Sequence, residues 1–199
     1  MNDKRLIAFR LPAALVLSIV CLAAPAWADF KAGEKAYQRK DYATALREWQ
    51  PLAKQGQAAA QYHLGLLYAN GQGVQKDDAQ ARQWYEKAAN QEHTLAQVNL
   101  ASLYDYGRGG LQDFRMAARW YLRAANHGNN LAQQKLGLLY ERGDGVQKDF
   151  ARAYMWYTLG AANGGAIGAM KRDDLAARMT SDQLAEAKKL GREWKPKTK

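Results

Sequence analysis

One pattern of 36 residues is written three times in this 199-residue chain, and a chain that repeats itself at that interval is constrained to stack copies of one unit. Leu64, Leu100 and Leu136 share one phase, Tyr68, Tyr104 and Tyr140 a second, and Trp84, Trp120 and Trp156 a third. Ala60, Ala96 and Ala132 keep the same register, as do Gly71, Gly107 and Gly143, then Gly73, Gly109 and Gly145, and finally Asp77, Asp113 and Asp149. A period between about 20 and 50 residues marks an array in which each unit buries its apolar face only against its neighbours.

Each unit divides at its glycines. Ala58 to Ala69 places Ala60, Leu64, Leu67 and Tyr68 on one stripe and is expected to form a helix, termed A. Asn70 to Lys76 breaks it, because glycine disfavours helix interiors but readily takes the positive φ of a C-terminal cap. Asp77 is placed to accept a hydrogen bond from an orphan amide and restart the chain. The second helix, B, is expected from about Asp78 to Gln91, with Ala81, Trp84, Tyr85, Ala88 and Ala89 on its apolar side. The tryptophans are expected in the core, with Tyr85, Tyr121 or Tyr157 the ones to reach a surface. The middle copy departs from its neighbours. Ala101 replaces Gly65 and Gly137, and Gly110-Leu111 replaces Val74-Gln75, which predicts an altered loop whose apolar plug has moved to Leu111.

The pattern Leu64-Gly65-x-x-Tyr68-x-x-Gly71-x-Gly73-Val74-x-x-Asp77, followed by Ala81-x-x-Trp84-Tyr85-x-x-Ala88-Ala89, resembles the Sel-1-like repeat, a relative of the tetratricopeptide repeat. The resemblance implies an all-α, right-handed superhelical solenoid of antiparallel helix pairs. Its units are expected at 57–92, 93–128 and 129–164. An atypical helix pair is expected over 29–56, with Asp41 at the phase of Asp77, and capping helices over 165–194, the last capped by Thr180 or Ser181 and carrying Leu184, Ala187, Leu190 and Trp194. A disordered basic tail is expected over 195–199. The resemblance further implies a non-enzymatic scaffold or adaptor that binds another protein on a concave wall built from A helices. Polar A-helix positions between the repeated apolar ones are then the expected contacts: Gln61, His63, Gln97, Asn99, Gln133 and Lys135. A specificity-bearing surface would vary there from copy to copy.

The first 28 residues read as a signal peptide, not as part of the fold. Lys4, Arg5 and Arg10 precede an uncharged apolar run from Leu11 to Ala24, and Ala26-Trp27-Ala28 supplies an A-x-A cleavage site. The run is too short to span a bilayer, which needs about 20 apolar residues. Cleavage after Ala28 is expected to deliver the chain to the periplasm or outside the cell. It would remove Cys21, the one cysteine, so packing alone must stabilise the mature chain. Losing three basic residues and one acidic residue from a chain of +10 leaves +8. In an exported protein that charge disfavours nucleic acid and favours an acidic protein, or an anionic envelope glycan or lipid surface.

Catalytic signatures are sparse. His63, His93 and His127 are dispersed and have no cysteine or paired histidine beside them, so neither a metal nor a cofactor is expected, and surface or capping roles are. The glycine loops follow helices, not the strand a phosphate loop requires. Ser102 and Ser181 are the only serines after residue 28, a poor basis for a nucleophile. The expectation is a non-enzyme. The alternatives are a cell-wall-directed enzyme or enzyme subunit, acting on peptidoglycan or beta-lactams, and a secreted factor that binds a host protein.

Overall fold

The computed structural model describes residues 28–162 and 165–196. The signal-peptide reading, but for Ala28, and the last three residues of the expected tail lie outside the described residues.

The described residues form ten helices and no strand. They are α1 (Phe30–Gln38), α2 (Tyr42–Lys54), α3 (Ala58–Asn70), α4 (Asp78–Asn90), α5 (Thr94–Asp105), α6 (Phe114–Asn126), α7 (Asn130–Arg142), α8 (Phe150–Ala161), α9 (Ala166–Ala176) and α10 (Ser181–Glu193). Each helix packs on the next as far as α9, and α10 returns to lie on α8. The result is an all-α solenoid of helix pairs, in which α3, α5 and α7 are the A helices of the three regular units and α4, α6 and α8 the B helices.

The loops explain the spacing of glycine and aspartate. Gly71 closes α3 at φ 67° and Gly143 closes α7 at φ 82°, left-handed conformations that glycine adopts without strain. The chain then returns, and the amides of Asp77, Asp113 and Asp149 donate to the carbonyls of Tyr68, Tyr104 and Tyr140 at 3.0, 3.0 and 2.9 Å. Each aspartate side chain also caps the B helix that follows, as does Asp41 in the first pair.

The middle loop differs locally, with α5 ending at Asp105, one residue earlier in phase than α3 and α7, and Gly110 at φ 159°, but its moved plug is corrected. Gly107 and Gly109 keep the positive φ of their counterparts (65° and 71° against 67° and 70°), and the closing bond from Asp113 is intact. Leu111 is 90% exposed and plugs nothing. The loop's path is set by glycines and one backbone hydrogen bond, so it survives without its apolar residue. Val74 and Val146, by contrast, pack on the core.

The B-helix tyrosines reverse the expectation, while the tryptophans meet it at Trp120 and Trp156, each 4% exposed. Tyr85, Tyr121 and Tyr157 are fully buried, whereas Trp84 is only partly so and carries the Lys87 ammonium 4.2 Å from its ring centroid. The reason lies on the facing A helix. Gly65 and Gly137 have no side chain, and the rings of Tyr85 and Tyr157 occupy that space. The first pair uses the same device, with Gly33 against Trp49.

The end units match their sequence signals. Thr180 and Gln183 form a reciprocal capping box at the start of α10, and Ala187 is buried. Trp194 meets the ring of Trp156 edge-on, with centroids 6.0 Å apart.

Candidate functional site

Three of the six expected contact residues are not on the surface. Gln61, Gln97 and Gln133 are buried at 4%, 0% and 3% exposure. Each amide Nε2 donates to a carbonyl near the C-terminus of the preceding B helix: Gln61 to Ala53 at 3.1 Å, Gln97 to Ala89 at 3.3 Å and Gln133 to Ala125 at 3.1 Å. The carbonyls at a helix end lack partners within their own helix, and a buried donor satisfies them. The glutamines therefore join one repeat to the next. Their sequence signal was visible: they recur at 36 residues, the mark of scaffold.

His63, Asn99 and Lys135 also share a phase, and here the residue changes from copy to copy, continuing at Lys171. All four are partly exposed. They lie on one A-helix face with the positions four residues before them and three and seven after, the spacing of a single helical stripe. Four residues before stand Ala59, Leu95, Leu131 and Ile167; the last three are exposed at 50%, 52% and 62%. This aliphatic row, one residue per repeat, was missed in the sequence reading, although it too recurs at 36 residues.

Two grooves cross this face. One of about 250 Å³ lies between α3 and α5, with Asn70, Asn99, Ser102 and Arg108 at its polar edge and Tyr85 beneath. The second, of about 260 Å³, lies between α7 and α9 and is more apolar, lined by Leu131, Leu138, Ile167 and Tyr157 with Lys135 and Lys171.

The polar groups around these grooves are held in place by buried tyrosines. Tyr157 donates to Glu141 Oε2 at 2.7 Å, and Arg178 from beyond α9 pairs with the other oxygen of Glu141. Burial alone would raise the Glu141 carboxyl, but the hydrogen bonds from Arg178 and Tyr157 outweigh it and hold the group below the ordinary glutamate range. The middle unit repeats the arrangement. Tyr121 donates to Asp105 at 3.4 Å, and Lys135 Nζ stands 3.8 Å from the same carboxylate oxygen and 2.8 Å from the Tyr106 hydroxyl. Burial raises Tyr85, Tyr121 and Tyr157 far above the usual phenol value, so all three remain neutral donors.

His63 lies in an aromatic cluster. Its ring stacks on Trp49 with centroids 4.3 Å apart, and Phe30, Tyr37 and Tyr62 surround it at 5.5, 6.2 and 5.3 Å. Burial, with a smaller contribution from His93, lowers its pKa to about 4. This half-buried histidine is a packing residue more than a contact. His93 caps α5, accepting from the Ala96 amide at 3.3 Å, and His127 meets Glu92 at 2.8 Å. Among the described residues no group of three or more His, Cys, Asp or Glu is placed to hold a metal ion. No helix among them is long and apolar enough to cross a membrane.

The helix pairs, the glycine-closed loops and the face they present define an α-solenoid of the Sel1 class. The Sel1 repeat model matches residues 58–93, 94–129 and 130–165, more than half of the chain, and the protein belongs to the Sel1 repeat family. Among solved structures it is similar to a Sel1 repeat protein from Oxalobacter formigenes, at 28% identity over 81% of this chain and 85% of that one, with a TM-score of 0.66. It is also similar to c5321, a protective antigen of uropathogenic Escherichia coli strains displaying an SLR fold, at 27% identity and a TM-score of 0.58, over 82% of this chain and 44% of that one. No curated protein matches. Sel1 repeat proteins generally mediate protein–protein interaction, and the family is typically a non-enzymatic scaffold.

Proposed function

We propose that this chain is an exported scaffold of the bacterial cell envelope, without enzymatic activity, that captures a segment of a protein partner on the exposed face of its A helices. The observation that carries the reading is the row Leu95, Leu131 and Ile167 beside the basic positions Lys135 and Lys171. Exposed aliphatic side chains repeated once per unit offer a partner regularly spaced apolar footholds. The neighbouring lysines favour a segment with carboxylates between its apolar residues. Export rests on the basic, apolar and A-x-A segments at the start of the sequence.

Capture from a cross-linked envelope fraction tests this. Leu131→Glu combined with Ile167→Glu is expected to abolish recovery of the partner while leaving the circular dichroism and melting transition of the protein in place, because both side chains are already exposed. Unchanged recovery with the doubly substituted protein overturns the surface. Retention of the protein in the cytoplasm overturns export.

A further inference from the structure

We propose that cleavage after Ala28 creates a charged group that the fold is built to hold: the α-ammonium of Asp29 pairs with the buried carboxylate of Glu48, and removal of the leader thereby locks the first helix pair. The proposal rests on the export reading above.

Glu48 is anomalous within the repeat. It stands on α2 at the phase where the regular units carry Trp84, Trp120 and Trp156, and it is only 6% exposed. A carboxylate in such a place needs partners that compensate for its lost water. One oxygen, Oε1, faces the largely exposed Arg47 guanidinium at 3.3 Å. The other, Oε2, accepts from the backbone nitrogen of Asp29 at 3.1 Å. That nitrogen belongs to the residue immediately after the A-x-A sequence.

The neighbourhood holds Asp29 in one position. Its carboxylate accepts from the Lys31 amide at 2.9 Å, and its carbonyl accepts from the Gly33 amide at 3.1 Å. One residue further on, the Trp49 indole donates to the Phe30 carbonyl at 3.2 Å. Adjacent residues of α2 thus grip adjacent residues at the start of α1.

In the uncleaved chain the Asp29 nitrogen is a neutral amide with one N–H. A signal peptidase adds water across the Ala28–Asp29 bond, leaving a carboxyl on Ala28 and an amine on Asp29 that takes up a proton. The nitrogen then carries a positive charge and three N–H groups, and the hydrogen bond to Glu48 becomes an ion pair. A cation at a helix N-terminus opposes the helix dipole, so the two carboxylates are what make it tolerable there. The charged groups facing it are Glu48 and Arg47 from α2 and the side chain of Asp29 itself. His63 of α3, against Phe30 and Trp49, is neutral above about pH 4.

The test compares a chain beginning at Asp29, released from a fusion by a protease that leaves no extra residue, with a chain that retains Ala28. Nuclear magnetic resonance titration of the amine in the first is expected to give a pKa at least about one unit above the ordinary α-amino value of about 7.7–8.0, returning to that value in Glu48→Gln. A raised pKa adds stability that is fully present below the unfolded value and is lost as pH rises through the folded one. The urea midpoint of the Asp29 chain is therefore expected to exceed that of the Ala28 chain at pH 6–7, with the gap closing by about pH 10. An unshifted amine, or no gap between the two chains, overturns the pairing even if Glu48→Gln fails to fold. N-terminal sequencing of protein from the envelope separates the two readings. Asp29 as first residue supports both; a retained leader on envelope protein overturns the processing step and the pairing with it; Asp29 first with an unshifted amine overturns the pairing alone.

Discussion

Gly65 lies directly against the ring of Tyr85: a Cβ placed on that glycine would come within 2.5 Å of two ring carbons. The tyrosine is fully buried and cannot swing aside, so the missing side chain of one helix is the seat of the aromatic ring of the other. Gly65→Ala is expected to lower stability by about 1–2 kcal/mol, because overpacking of about 1–3 kcal/mol exceeds the gain of about 1 kcal/mol in helix propensity. Urea unfolding measures it. In the middle unit Ala101 already stands at this phase, so Ala101→Gly is expected to lose only packing and propensity, without relief of strain.

The buried glutamines supply a second prediction. Gln97→Ala removes the amide that meets the Ala89 carbonyl and leaves a void between two repeats, and a destabilisation of about 1–3 kcal/mol is expected. Gln83→Ala, on the exposed side of α4, is expected to change stability by no more than about 0.5 kcal/mol. Equal effects in the two variants would sink the division between joint and surface.

His63 makes stability depend on pH. Its folded pKa of about 4 lies below the ordinary value of 6.5 because burial excludes the charged form. Between those values the unfolded chain takes up a proton that the folded chain refuses, so stability falls as pH drops from about 6.5 towards 4. His63→Gln is expected to flatten that part of the profile. Urea midpoints taken at half-unit intervals of pH read the difference directly.

The middle loop yields a contrast between two apolar residues. Leu111→Ser is expected to leave the melting temperature within about one or two degrees, since the side chain is 90% exposed. Val146→Ser, in the third loop, removes a residue packed on the core and is expected to cost about 1 kcal/mol. A large loss from Leu111→Ser would restore the reading of that residue as a plug.

The fold was legible because a repeated letter reports a repeated environment. Asp77, Asp113 and Asp149 cap their helices, and Gly71 and Gly143 close theirs, as glycine and aspartate chemistry dictates. Depth within the core was less legible. Tyrosine and tryptophan are both large and amphipathic; Gly65 and Gly137 seat Tyr85 and Tyr157, yet Tyr121 is buried opposite Ala101, and Trp120 and Trp156 are enclosed as well. Polarity misled at Gln61, Gln97 and Gln133, where a polar side chain was taken for an exposed one although its strict recurrence pointed to the interior. The same recurrence concealed Leu95, Leu131 and Ile167, whose aliphatic character suggests core when the sequence is read without the helix phase. His63, Asn99, Lys135 and Lys171 are what remain when both kinds of recurrence are set aside, and they lie along the open face.

Trp194 covers Trp156, and with it the outer side of the last regular B helix. The B helices α2, α4, α6 and α8 each pack on the A helix that follows, and α8 alone also carries α10, so an uncovered Trp156 would present another molecule with an exposed aromatic surface. Helix α10, 13 residues long, thus acts as a lid on the last regular unit, withholding from other molecules an aromatic surface that stacking would use.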